Sequence, residues 1–176
     1  ISNRILIILN GNARLTVYIK NELISLGKLG KGSVLGLASF LRAEGCEDTT
    51  AIDNLKALSI PDDLIIDLLK SEPSFKEKVN QLLFPSEIYA LTEIILKKSK
   101  RQDLDIFKVF EVIYKTARPY IINQNGLVTL KENEILLVGS QNIAEKRIGD
   151  CIENNEEVVS RGPLDPRLIT LPENIY

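Results

Sequence analysis

The sequence predicts an α+β protein, because its strand-like and helix-like segments are grouped into separate blocks along the chain. Residues 4–60 contain short apolar or alternating runs between turns rich in Asn and Gly, a pattern typical of β-structure. Residues 61–118 repeat apolar side chains at helical spacing, and residues 119–172 return to short strand-like runs. Strands that are segregated from helices favour α+β over alternating β-α units.

The first block is expected to begin with two hairpins. Residues 5–9 form an apolar run, Asn10-Gly11 favours a tight turn, and residues 13–18 alternate between apolar and polar side chains. A second turn is expected at Asn21-Glu22, with residues 23–27 as the returning strand.

A glycine-rich loop follows these hairpins, and residues 34–42 are expected to form a short helix. Residues 49–60 predict one more strand. The residues of this strand that are expected to face inward are Leu55, Ala57 and Leu58.

Prolines divide the helical block. A proline followed by acids suits the first turn of a helix, because that position needs no N–H donor and the acids complement the helix dipole. Helices are therefore expected to begin at Pro61, Pro73, Pro85 and Asp103, and the last should run to Arg118.

The last block predicts short strands at residues 127–130, 135–139 and 158–159. Residues 161–172 carry three prolines, which favours an extended segment or a linker. We interpret this end as a linker that leads into another domain.

Composition and charge limit the possible functions. The chain is 44% hydrophobic and 26% charged, which is typical of a globular domain, and its net charge of −2 does not favour nucleic acid as a partner. No signal peptide is visible, and the longest pure apolar run, residues 5–9, is too short to span a bilayer. The sequence therefore predicts a cytoplasmic domain without membrane contact.

The absence of His excludes most common catalytic sites, including Ser-His-Asp and Cys-His catalysis and zinc sites that contain His. Cys46 and Cys151 lack CxxC spacing, and we interpret both as structural thiols. We expect no enzymatic activity, no metal and no cofactor. An enzyme built from carboxylates alone stays open, although no carboxylate pair stands out.

The glycine-rich loop fails two phosphate-binding motifs. For a P-loop, Gly27 and Gly32 have the right spacing, but Ser33 stands where the lysine is needed. For a dinucleotide fingerprint, Gly30 and Gly32 are followed by Gly36 one residue too late, and no β-α-β unit surrounds them.

A third motif fits. Residues 7–18 follow the pattern apolar-x-Gly-x-apolar-x-apolar, residues 29–41 align without a gap with L-G-x-G-D-x-x-G-E-x-A-L-L, whose three glycines they share, and residues 55–61 end a strand with Ile-Pro. These segments resemble the cyclic-nucleotide-binding domain family, which includes catabolite activators and regulatory subunits of cAMP-dependent kinase. The resemblance covers roughly residues 3–99.

The resemblance implies a double-stranded β-helix, a β-roll of jelly-roll type, with trailing helices. It divides the chain into a domain over residues 1–99, with the family's first strands expected before residue 1, and an extension over residues 100–176. The extension would contain one helix, a small β-rich part and the proline-rich linker. Because no basic recognition helix follows residue 99, a transcription factor is disfavoured.

The chain departs from the family at the residues that bind the ligand. The family's ribose-binding Glu is Leu37 here, and the region of its phosphate-binding Arg, residues 45–51, carries acids instead. The resemblance places a degenerate phosphate cassette at Gly36, Leu37, Ala38, Ser39, Arg42, Thr49 and Thr50. Several interpretations stay open. The glycines only shape tight turns, or a cyclic nucleotide still binds through backbone amides and Arg42. The loop amides could also bind a small anion, or the pocket could hold an apolar ligand beside Leu37 and Phe40.

A second resemblance concerns a possible parent protein. Residues 43–47 and 162–172 are similar to N-terminal regulatory segments of cyanobacterial toxin and bacteriocin exporters, which are ABC transporters. It implies a membrane-bound parent, some of whose relatives carry a cysteine peptidase domain, with that chemistry outside this chain. The partners expected are other domains of the parent chain and, through a helix over residues 85–98, a second copy.

Overall fold

The structure is a computed structural model that describes residues 4–19, 22–122 and 126–175. Its backbone contacts divide the chain into two units, Ile1–Lys76 and Glu77–Tyr176. The division therefore falls before the helix at residues 85–98, which the sequence resemblance groups with the first domain.

The first unit contains two antiparallel sheets of three strands each. Their orders are β4-β1-β6 and β3-β2-β5. Its elements are β1 (Arg4–Asn10), β2 (Ala13–Ile19), β3 (Glu22–Leu29), β4 (Val34–Leu35), α1 (Leu37–Arg42), β5 (Asp48–Ala51), β6 (Lys56–Pro61) and α2 (Asp62–Ser71). Helix α3 (Pro73–Asn80) follows and crosses the division.

The expected hairpin at Asn10-Gly11 is wrong, because β1 and β2 belong to different sheets. The chain crosses from one sheet to the other at Gly11, whose φ is +86°. Ile8 and Ala13 on either side are both buried in one apolar cluster. Burial of these side chains, rather than the turn dipeptide, therefore decides which strands pair.

The second expected hairpin is confirmed. Strands β2 and β3 pair antiparallel from Ala13↔Leu29 to Ile19↔Glu22. Asn21, on which the turn was expected, lies outside the described residues. The short helix expected over residues 34–42 is α1, preceded by the two residues of β4.

The single strand expected over residues 49–60 is two strands, β5 and β6, in different sheets. Leu55 is half-buried against the cluster of Ile8, but Ala57 and Leu58 are exposed, so their expected inward orientation is wrong. The physical reason is that neither face of β6 is covered at these two residues; the strand lies at the edge of its sheet, beside β1.

The second unit is built from helices and one four-stranded antiparallel sheet of order β7-β10-β8-β9. Its elements are α4 (Pro85–Lys98), α5 (Ile106–Thr116), β7 (Arg118–Tyr120), β8 (Glu134–Val138), β9 (Cys151–Ile152), β10 (Leu168–Pro172) and a 3₁₀ turn (Glu173–Ile175). The three prolines named above mark the starts of α2, α3 and α4, with acids in the first turns of α2 and α4. The expected fourth helix is α5, which begins after Asp105 and is shorter than expected.

One expectation for this unit is wrong. Residues 127–130 and 158–159 form no strands; Leu127↔Glu157 and Ile143↔Ser160 are isolated bridges. Of the two interpretations of the proline-rich end, the extended, strand-like one is confirmed, because this end contains β10, which lies between β7 and β8 in the sheet and is not a linker. Pro163 and Pro166 lie before this strand and Pro172 ends it, so the strand interior keeps its N–H donors.

Apolar side chains cover both faces of the four-stranded sheet in the second unit. The cluster on one face consists of Val128, Leu136, Val138, Ile143, Ile152 and Leu168. Helices α4 and α5 pack through aromatic rings, with the Tyr89 ring centroid 5.9 Å from that of Phe107 and 5.8 Å from that of Phe110. The α+β class is confirmed, with an antiparallel β-roll followed by helices and a small β-rich extension.

Among the described residues, no helix has the length and apolarity that a membrane crossing requires.

Candidate functional site

The candidate site is the segment from Gly36 to Ala51, which contains α1, a loop and β5. Gly36 has a φ of +85° and is the N-cap residue of α1. A residue with a side chain rarely adopts this conformation, so the glycine allows the turn from β4 into α1. Gly36 therefore acts first as a backbone element of the fold.

Helix α1 is buried along its whole length. Leu37, which the sequence resemblance aligns with a ribose-binding Glu, is 6% exposed, and Ala38 is fully buried. Leu37 thus contributes an apolar side chain to the core and offers no polar group to a ligand.

The start of α1 receives a carboxylate from the following loop. Gly36 provides no side-chain cap, and the first turn of α1 contains no acid. Oε2 of Glu47 accepts a hydrogen bond from the Ser39 N–H at 3.1 Å, and the Gly36 and Ala38 amides lie close enough to lower the pKa of this carboxyl group. Glu47 therefore satisfies an N–H group that the helix itself leaves without an acceptor.

The environment of Glu47 acts on its pKa in two directions. Burial raises the pKa of this carboxyl group above its ordinary value, while the amides of Ser39, Gly36 and Ala38 lower it. Burial is the larger effect, so the pKa is raised overall.

Arg42, Ser39 and Cys46 lie next to this carboxylate. Ser39 Oγ accepts a hydrogen bond from the Cys46 N–H at 3.0 Å and lies 3.8 Å from Cys46 Sγ. Arg42 is 1% exposed, and its guanidinium group interacts with the Cys46 thiol. Burial raises the pKa of this thiol, against the smaller opposing effect of Arg42, which agrees with a structural cysteine.

Thr49 and Thr50 belong to β5 and are exposed. They pair with Leu15 and Arg14 of β2. The structure therefore brings five residues of the expected cassette together at α1, namely Gly36, Leu37, Ala38, Ser39 and Arg42, and places the two threonines on an exposed strand.

Glu47 is the residue that the sequence reasoning did not include in the site. In the sequence, the acids of residues 45–51 stand out only as a departure from the phosphate-binding Arg of the resemblance. The available signal was local: a short helix preceded by Gly36 and lacking an acid in its first turn needs an acceptor from elsewhere.

No group of three or more Cys, Asp or Glu side chains that could hold a metal ion occurs in the part of the chain that the structure describes.

Comparisons with known proteins find matches among solved structures, whereas no protein-family model and no curated protein sequence matches the chain. The regulatory domain of Toxoplasma gondii PKA with cAMP is 13% identical, with a TM-score of 0.40, over 98% of this chain and 72% of that chain. An EAL enzyme in its cAMP-bound form is 14% identical, with a TM-score of 0.41, over 85% of this chain and 35% of that chain.

The Thermus thermophilus catabolite activator protein is 17% identical, with a TM-score of 0.37, over 57% of this chain and 55% of that chain. Likenesses of this size carry no conclusion about a ligand, an activity or a partner of the present chain.

Proposed function

We propose that this chain is a non-catalytic regulatory domain of the cyclic-nucleotide-binding fold whose nucleotide site is degenerate. The observation that carries the proposal is the Glu47 carboxylate at the start of α1, where it accepts a hydrogen bond from the Ser39 N–H. The glycine register of residues 29–41 and the β-roll followed by helices support the choice of fold.

The rival function is a working switch that binds cAMP or cGMP through backbone amides and Arg42. The Ser39 N–H already donates to Glu47, and the Gly36 and Ala38 amides lower the pKa of its carboxyl group, so a phosphate group would have to displace this carboxylate or lie beside it. Two negative charges about 4 Å apart repel by roughly 4 kcal/mol at an effective dielectric constant near 20. Arg42 is buried and interacts with Cys46, which opposes its use as a ligand contact.

The regulatory mechanism that we propose is a displacement of the helices after Pro61 against the β-roll, driven by a partner or by a ligand other than a cyclic nucleotide. The partners would be other domains of a longer parent chain. Its identity as an ABC-type exporter, and the cytoplasmic location of this domain, rest on the sequence alone.

Dimerisation through residues 85–98 stays a prediction. The apolar residues along α4 that are buried within a single chain are Ile88, Tyr89, Leu91, Ile95 and Leu96. A second copy would therefore meet the exposed charged side chains of this helix, such as Glu93 and Lys97, rather than an apolar stripe.

The proposal is tested by calorimetric titration of the chain with cAMP and with cGMP. We expect no binding heat up to millimolar nucleotide. Micromolar binding of either nucleotide by the unaltered chain would overturn the proposal that the site is degenerate. In that case Arg42→Lys, checked for native circular dichroism, would show whether the guanidinium group contacts the ligand, and exposed Arg14→Lys would serve as its control.

A further inference from the structure

The second unit contains a buried ion pair between Glu87 in the first turn of α4 and Arg167 next to β10. Glu87 is fully buried and Arg167 is 7% exposed. The guanidinium group approaches the carboxylate with two nitrogens: Nε donates to Oε1 and Nη2 donates to Oε2, the latter at 2.7 Å. This two-point geometry is specific to Arg, because a Lys ammonium group lacks the planar fork.

Arg167 also contacts the segment that leads into α4. Its Nη2 donates to the carbonyl oxygen of Leu82, and its guanidinium carbon lies 5.4 Å from the centroid of the Phe84 ring. Glu87 in turn accepts from the Phe84 N–H at 3.5 Å. One side chain thus fixes the turn before α4 and the first turn of α4 together.

The backbone of Arg167 forms hydrogen bonds with the two residues that follow strand β8. Its N–H donates to Ser140 Oγ at 2.9 Å, and its carbonyl oxygen accepts from the Gly139 N–H at 2.8 Å. A Cβ atom on Gly139 would lie 3.0 Å from that oxygen, so the close approach favours glycine.

The hydrogen bonds of Ser140 extend through a second side chain, that of Asn142, to the segment before β10. Ser140 Oγ donates to Asn142 Oδ1 at 2.5 Å, and Asn142 Nδ2 donates to the carbonyl oxygens of Leu164 and Asp165 at 2.9 and 3.3 Å. The approach to β10 is therefore fixed by hydrogen bonds at several successive residues.

Separating the buried charges of Glu87 and Arg167 would leave each of them uncompensated in a medium of low dielectric constant, which is strongly unfavourable. We infer that Arg167 is a clasp that makes the start of α4 and strand β10 open and move as one body. The inference rests on the proposed function, because it states where a displacement of the helices would be transmitted: to β10 at the centre of the C-terminal sheet. Arg167 acts here as a positioning residue.

Native-state amide hydrogen exchange tests the clasp, because residues that open together share one opening free energy. In the unaltered chain, the amides of residues 88–92 and those of residues 168–171 should converge on the same opening free energy as denaturant is added. Arg167→Leu alone should greatly lower the melting temperature, since it leaves the Glu87 charge buried without its partner.

The deciding variant is Glu87→Leu/Arg167→Leu, which removes both charges and can keep the fold, because apolar replacement of a buried pair is often neutral. We expect its melting temperature to stay near that of the unaltered chain, while exchange in the two segments separates by about tenfold or more. Arg161→Leu, at an exposed arginine in the segment before β10, is the matched control. In this variant the two segments should still open together.

Two results would overturn the inference that Arg167 acts as a clasp. One is separate opening of residues 88–92 and 168–171 in the unaltered chain. The other is joint opening of these segments in a folded double variant. Neither result changes the calorimetric titration with cyclic nucleotides, so a failure of the clasp can be told apart from a failure of the proposed function.

Discussion

At the scale of single residues, Glu47 performs the role that a capping side chain performs in most helices. The N-cap of α1 is Gly36, which has no side chain to accept from the free N–H groups. A carboxylate from the loop after the helix replaces it. The same contact therefore stabilises α1 and opposes the binding of a phosphate.

The pH dependence of stability should report this contact. Burial raises the pKa of Glu47 above 4.5, so the folded chain binds the proton more tightly than the unfolded chain does. The free energy of unfolding due to this group is then highest below pH 4.5 and falls as the pH rises from there through the folded-state pKa. Glu47→Gln should remove this fall, and thermal unfolding from acid to neutral pH measures it.

Asp48→Asn, at the exposed neighbouring residue, is the control for the loss of one acid and should keep the pH profile of the unaltered chain. Parallel profiles for Glu47→Gln and the unaltered chain would show that Glu47 is not the group responsible.

At the scale of secondary-structure elements, periodicity in the sequence predicts what each segment forms but not what it pairs with. The helix expected from Pro85 is α4, with its apolar stripe buried. Alternating residues 13–18 also predict β2 correctly. The partner of β1 could not be predicted in the same way, because Asn10-Gly11 specifies a left-handed turn and not the sheet into which the next strand runs.

For the candidate site too, the sequence predicts local features but not the contacts between segments. Gly36 and Arg42 belong to one short segment, so the glycine register is sufficient to place them together. Glu47 reaches α1 only through the path of the loop after the helix, and no spacing rule fixes that path. The burial of Ala57 and Leu58 was mispredicted for a related reason, since an edge strand has the same periodicity as a central one.

The crossing between the two sheets at Gly11 should be sensitive to any side chain. Its φ of +86° is unfavourable for residues other than glycine, and a Cβ atom would lie 2.5 Å from the carbonyl oxygen of Asn54. Gly11→Ala should lower the free energy of unfolding by about 1–3 kcal/mol, as measured by chemical denaturation. Gly27→Ala is the control, because a Cβ atom there meets nothing within 4 Å. Equal losses in both variants would contradict the strain at the crossing.

At the scale of the whole molecule, the last strand of the chain is a central strand of the four-stranded sheet in the second unit. Strand β10 pairs with β7 on one side and with β8 on the other, both antiparallel. These partners come from earlier parts of the chain, so the sheet is complete only when β10 is present. Such non-local pairing carries no signature in the local sequence, which explains why the proline-rich end was interpreted as a linker.

Shortening the chain distinguishes a structural strand from a linker. Leu168 and Ile169 are fully buried and Leu171 is 1% exposed, and burying each such side chain contributes about 1.5–3 kcal/mol. Their sum is comparable with the whole stability of a typical domain, about 5–15 kcal/mol. A chain that ends at Ser160 should therefore lose cooperative unfolding and amide protection over residues 77–160.

A chain that ends at Pro172 keeps β10 and should retain both properties, so it separates the loss of the strand from the act of truncation. Unchanged protection of β8 in the chain that ends at Ser160 would show that the sheet forms without β10. In that case β10 would be an addition to a sheet that is already stable, and the buried strand that Arg167 joins to α4 would not be needed to form it.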